Sequence, residues 1–125
     1  MLTFKLGATA QLPALPAAVP AVLDPPPDTA SAAAVTDGKA LYHMHCSTCH
    51  GDSATSSGVL PDLRYSGLLK NAAAWGSTVR DGLRTDKGMV AFKDEITSAD
   101  ASRIRDYVIH RANQDKIAEA PAAPR

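Results

Sequence analysis

From Thr36 onward the apolar positions recur at helical spacing, and no pair of alternating runs joined by a hairpin turn occurs. The clearest stretch is the last one, where Ala101, Ile104, Tyr107, Val108 and Ala112 share a face while Arg103, Arg105, Asp106 and Arg111 fall largely opposite. Its start, Thr97-Ser98-Ala99-Asp100, has the spacing of a capping box with Asp in place of Glu or Gln. A second helix is expected over Leu68–Val79, ending near Gly82, with Leu68, Leu69, Ala72, Trp75 and Val79 as its buried stripe. An earlier one begins at Thr36 or Asp37, either of which can cap it, and runs through Gly38, Leu41 and Tyr42 toward Cys46. Gly38 and Tyr42 stand four residues apart on one face. A glycine inside a helix costs stability unless something approaches closely there, so a crossing helix is expected, and the last helix is the candidate. Loops fill 51–64 and 85–92. The expected class is all-α.

The beginning of the chain follows no such pattern. Leu2-Thr3-Phe4-Lys5-Leu6 reads as a short strand-like piece closed by Gly7. From Pro13 to Val35 proline and alanine dominate, a composition that favours extended polyproline II and acts as a semi-rigid spacer reaching on the order of 70 Å. The apolar run between Lys5 and Ala8-Thr9-Ala10 is too short for a secretory signal. The division expected is therefore 1–12 as the end of an upstream domain, 13–35 as linker, 36–116 as the folded domain and 117–125 as a disordered tail.

Composition adds bounds. A chain of 125 residues, 45% hydrophobic and 21% charged, is one ordinary globular domain with tails. A formal net charge of zero gives no reason to expect nucleic acid or an anionic membrane as partner. No run is long and apolar enough to span a bilayer. The two cysteines fall in one motif, which leaves no disulfide framework to explain.

That motif, Cys46-Ser47-Thr48-Cys49-His50, carries the chemistry. C-x-x-C-H is the signature of covalent c-type haem. Residues three apart on a helical turn share a face, so two thioethers can form along one porphyrin edge while the next residue, His50, supplies the proximal imidazole. A buried haem would also give so small a domain much of its core. Two other uses of these residues are a thioredoxin-like dithiol, which belongs in a βαβ setting, and a zinc site, which would have to draw on His43, His45 and His50 in one short segment. For the opposite iron face Met89 is the candidate, in a loop beside Gly88. Met44 reads as core filler, Met1 lies outside the domain, and His43, His45 and His110 are the rivals.

Gly38 with Tyr42, Cys46 to Gly51, Pro61, Gly88-Met89 and Tyr107 together resemble a class I cytochrome c. More narrowly, Gly58-Val59-Leu60-Pro61-Asp62-Leu63-Arg64, Trp75 and Gly88-Met89-Val90-Ala91-Phe92 resemble the C-terminal haem domain of quinohemoprotein alcohol dehydrogenases. In that family a propeller carrying pyrroloquinoline quinone and calcium is joined to the cytochrome by a proline-rich linker, and Phe4-Lys5-Leu6-Gly7 with Leu12-Pro13 is similar to the way those propellers end. The resemblance implies that Pro61 offers its carbonyl to the second nitrogen of His50 and that Arg64 and Trp75 hydrogen-bond the haem propionates.

The expected function is electron transfer by one covalent haem c in the periplasm, with His50 and Met89 on the iron. The chain itself performs no bond chemistry. Electrons would come from reduced pyrroloquinoline quinone in the upstream propeller and pass to an external acceptor such as a small copper protein or a cytochrome. The alternatives are a free-standing periplasmic cytochrome c of a respiratory chain and, were Met89 not a ligand, a haem protein that binds a gas or peroxide.

Overall fold

The computed structural model describes residues 6, 7, 9, 22–56 and 58–119. Among them there is no strand: α1 (Ala32–His45), α2 (Ser47–His50), α3 (Ala72–Val79) and α4 (Ser98–Glu119) are joined by loops and three short 3-10 turns. The architecture is all-α, as the periodicity requires.

The last helix forms where the capping box stands. Asp100 N–H donates to Thr97 Oγ1 at 3.1 Å and Thr97 N–H donates back to Asp100 Oδ2 at 3.1 Å, so two otherwise orphaned amides are satisfied reciprocally. Ala101, Ile104, Tyr107, Val108 and Ala112 are buried, together with Ile109, which the pattern did not include. The helix runs on through Glu119, past the expected boundary at 116, and 120–125 lie outside the described residues.

Two other helices differ from expectation at their starts. α1 begins at Ala32, where Ser31 Oγ accepts from Ala34 N at 3.2 Å and Ala32-Ala33-Ala34 provide three residues of the highest helix propensity. Thr36, expected as a cap, instead bonds the Ala32 carbonyl from inside the helix. The stretch 68–79 is broken in two. Gly67–Lys70 makes a 3-10 turn, Asn71 adopts extended backbone and caps α3 by accepting from Ala74 N at 3.0 Å, and Ala72 is left exposed. An Asx side chain competing for backbone donors explains the break.

α1 crosses α4 at the glycine. A Cβ built on Gly38 would lie 2.0 Å from the Arg103 carbonyl oxygen and 3.1 Å from Tyr107 Cβ, so the helix backbones meet with no room for a side chain. Tyr42, one turn on, is fully buried, its ring 5.1 Å from that of Tyr107. Leu69, Trp75, Val79, Ile96 and Ile104 complete the core around this crossing.

The end of the proline-rich segment lies on the domain. Leu23 is buried, the Pro26 carbonyl accepts from Asn113 Nδ2 at 2.9 Å, Asp28 pairs with His110 at 2.7 Å, and Asp24 pairs with Lys70. The rings of Pro25, Pro26 and Pro27 fix φ in advance, so docking them costs little conformational entropy. The strand-like piece over 2–5 and the linker over 13–21 lie outside the described residues.

Gly38→Ala should destabilise the folded protein by about 3 kcal/mol, because the clash is with backbone and no rotamer relieves it. Thermal unfolding of the haem-loaded variant measures this; a melting temperature equal to wild type would show that the helices are not in contact at Gly38.

Candidate functional site

The sequence Cys46–His50 folds as a continuation of α1 after a one-residue break. Cys46 N–H still donates to the Tyr42 carbonyl at 2.8 Å, and His50 N–H donates to the Cys46 carbonyl at 2.9 Å, so Cys46, Cys49 and His50 occupy one tight turn. Cys46 is buried and Cys49 exposed. Burial, and secondarily the neighbouring Cys49, pushes the Cys46 thiol up to about 11, so it is a neutral thiol at pH 7.

Gly51 turns the chain away. It has φ +79°, and a Cβ there would stand 2.1 Å from the Thr55 carbonyl oxygen, so both conformation and space call for glycine. Tyr42 Oη donates to the Gly51 carbonyl at 2.6 Å, and burial holds its phenol well above the usual tyrosine range, keeping it a donor. Leu63 N–H then donates to the Ala54 carbonyl at 3.2 Å, which brings the loop over 61–65 back beside the motif.

There the Pro61 carbonyl lies 2.9 Å from His50 Nδ1. A carbonyl only accepts, so Nδ1 carries a proton, and in the neutral ring Nε2 is the nitrogen with the lone pair. Nε2 makes no hydrogen bond among the described residues, which leaves it free to ligate.

Met89 follows Gly88, which is left-handed at φ +87° and ends a 3-10 turn over Thr85–Lys87. Met89 is partly buried against the core, its N–H donating to the Arg84 carbonyl at 3.2 Å, and Phe92 N–H ties the loop to Val79 on α3 at 3.0 Å. The rivals have other partners: His43 Nδ1 bonds the Lys39 carbonyl, His45 packs edge-on against Phe92, and His110 is held by Asp28. Met44, expected as core filler, is 74% exposed.

The two residues expected at the haem propionates have partners within the protein. Trp75 is buried and its single donor, Nε1, goes to the Ala101 carbonyl at 2.8 Å, because the buried face of α3 lies against α4. No donor remains for a carboxylate. Arg64 is committed to carboxylates of the protein itself: Nε and Nη2 fork onto Asp62 at 3.0 and 2.7 Å, and Nη1 reaches Asp115 at 2.9 Å. These hydrogen bonds, the Asp62 ones first, hold the guanidinium above even its ordinary range. Sequence reading missed Asp62 and Asp115. The Arg111–Asp115 pair was visible as an i,i+4 spacing, but the link from Asp115 to Arg64 joins residues distant in sequence.

Among the described residues no group of three or more His, Cys, Asp or Glu side chains is placed to hold a bare metal ion. Among the described residues the setting is also without the strands of a thioredoxin-like dithiol. A haem fits the donor set: two thiols and an imidazole of the ligating tautomer on one turn, with a thioether sulfur in a separate anchored loop.

The sequence model of a family described as cytochrome c oxidase, cbb3-type, subunit III matches residues 33–108. Quinohemoprotein alcohol dehydrogenase ADH IIB of Pseudomonas putida is 37% identical over 126 residues, which cover 99% of this chain and 18% of that protein. The dehydrogenase subunit of alcohol dehydrogenase (quinone) from Acetobacter aceti is 36% identical over 125 residues, 95% of this chain and 16% of that one. Its counterpart in Gluconobacter oxydans is 40% identical over 86 residues, 69% and 11%. The chain thus spans less than a fifth of the length of these curated relatives.

Trp75→Phe removes the indole donor while keeping an aromatic ring. It should lower stability by about 1 kcal/mol, read as a reduced denaturant midpoint at unchanged slope, and leave the haem content of the purified protein as in wild type. A loss of haem without loss of stability would restore Trp75 to the cofactor site.

Proposed function

The chain belongs to the cbb3-type subunit III family of cytochrome c domains, and on that premise we propose that it is the haem-carrying, electron-transferring part of a periplasmic quinone-dependent alcohol dehydrogenase. Electron transfer is the activity of a cytochrome c domain. The upstream donor in this reading is reduced pyrroloquinoline quinone in a calcium-containing propeller; what supports a dehydrogenase partner is that relatives matching nearly the whole chain are named quinohemoprotein or quinone alcohol dehydrogenases. The external acceptor is a small copper protein or cytochrome. A periplasmic location follows from covalent haem attachment, which is normally completed outside the cytoplasm. Among the described residues no helix is long and apolar enough to cross a membrane.

The single observation that carries the reading is the turn Cys46–His50, with the His50 Nδ1 proton held by Pro61. Cys46 and Cys49 would hold the haem by thioether bonds, His50 Nε2 and the Met89 sulfur would take its iron, and the group when bound supplies a one-electron couple. The Pro61 carbonyl fixes the imidazole's tautomer and orientation and makes Nε2 a stronger donor. A Met89 thioether, being soft, favours the ferrous state and raises the potential, which suits a domain that accepts electrons. No side chain here is asked to move a proton.

Denaturation in acid acetone should leave the haem on the polypeptide, and Cys46→Ala or Cys49→Ala should weaken its retention; haem released from wild type would defeat the covalent assignment. Wild type should show the weak near-infrared band of a sulfur–ferric bond and bind carbon monoxide sluggishly. Met89→Ala should abolish the band and open the site, and a band that survives the substitution would point to another ligand.

Tethering to a dehydrogenase domain makes electron delivery intramolecular, at an effective concentration that can reach about millimolar. In stopped flow after adding alcohol, haem reduction in the intact parent should be independent of protein concentration. In a mixture of separated propeller and this chain it should scale with concentration. Equal rates under dilute conditions would favour a free-standing cytochrome.

A further inference from the structure

The ion pairs beside the motif form a continuous relay. The Arg111 guanidinium donates to both oxygens of Asp115 at 2.9 and 3.1 Å, Asp115 accepts from Arg64 at 2.9 Å, and Arg64 forks onto Asp62. Asp62 also accepts from the Arg64 backbone amide at 3.0 Å. Arg64 is 13% exposed and Asp62 and Asp115 each 20%, so solvent screens these charges only partly.

The relay ends one bond from the group that holds His50. The Pro61 carbonyl and the Asp62 N–H belong to a single planar peptide unit. Rotating that carbonyl requires Asp62 to move, and the Asp62 carboxylate is gripped by the planar fork of Arg64. The far end of the fork is anchored on α4. α4 in turn is locked to α1 by backbone contact at Gly38, and α1 leads directly into the turn that carries His50. The covalent and non-covalent links therefore close a ring: α1, His50, Pro61, Asp62, Arg64, Asp115, α4 and back to α1.

We propose that Arg64 and Asp115 are positioning residues for the proximal ligand, acting through Asp62 to hold the Pro61 carbonyl on His50 Nδ1–H. This rests on His50 being the iron ligand. Charge alone is not sufficient for the role: a lysine at 64 keeps the cation but presents a single point donor in place of the two-pronged contact with Asp62.

The test uses the haem-loaded protein and the exchange rate of the His50 Nδ1 proton by NMR, read against the backbone amides of α1 and α4. Arg64→Lys should accelerate Nδ1–H exchange by about tenfold while the helix amides stay within about twofold of wild type, because only a local opening is made easier. Asp115→Asn leaves the Arg64–Asp62 fork in place and should give a smaller increase in the same direction; it decides the matter alone should Arg64→Lys not load haem. Equal exchange in variant and wild type, or an increase shared by the helix amides, would overturn the proposal. A wild-type spectrum in which no hyperfine-shifted Nδ1 proton belongs to His50 would overturn the ligand assignment and this inference with it. Failure in the variants alone leaves that assignment standing.

Discussion

The contact of two helix backbones at Gly38 is the constraint on which the remaining structure depends. Without a Cβ at that position, α1 comes so close to α4 that the next atom out is the Arg103 carbonyl oxygen. Close approach of this kind buries Tyr42 and Tyr107 against each other and fixes the direction in which α1 ends. The Cys46–His50 turn is the immediate continuation of α1, so its placement is inherited from the helix crossing. The same α4 receives the Trp75 indole and the Arg64 guanidinium, and the rest of the domain is hung from that helix.

Around the motif the chain uses backbone carbonyls as the principal acceptors. Gly51 accepts from Tyr42, Ala54 from Leu63 and Pro61 from His50, the last two joining segments that are separated by a loop. A carbonyl has no proton to lose, so the tautomer it imposes on an imidazole does not change with pH through the carbonyl's own titration. The charged groups nearby, Asp62, Arg64, Arg111 and Asp115, neutralise one another in pairs. They order the loop without placing a net charge beside His50.

The N-terminal segment bears on how such a domain is attached. Asp24, Pro26 and Asp28 dock the segment before α1 on α4 and on the turn over Gly67–Lys70, and Leu23 is buried. That part of the proline-rich stretch does not contribute to a free spacer, and at about 3.1 Å per extended residue its docking removes roughly 30 Å of reach. In the fusion proposed above, the shorter tether constrains where the preceding domain can sit, and so raises the local concentration of one domain at the other.

Much was legible from sequence alone, for a physical reason in each case. The C-x-x-C-H spacing, the capping box at Thr97–Asp100 and the buried stripe of α4 are local patterns, decided by residues within one or two turns of each other. Gly38 announced a close approach because a helical glycine is otherwise costly. Tertiary structure alone decided the partner of Trp75 and the distant partner of Arg64. Each can donate to any acceptor within reach, and the acceptors chosen, Ala101 and Asp115, lie 26 and 51 residues away in sequence. It decided the exposure of Met44 and Ala72 as well. Helical periodicity says which residues share a face, but which face is covered, and how far a helix extends, depends on what packs against it and on which side chain reaches the free amides first.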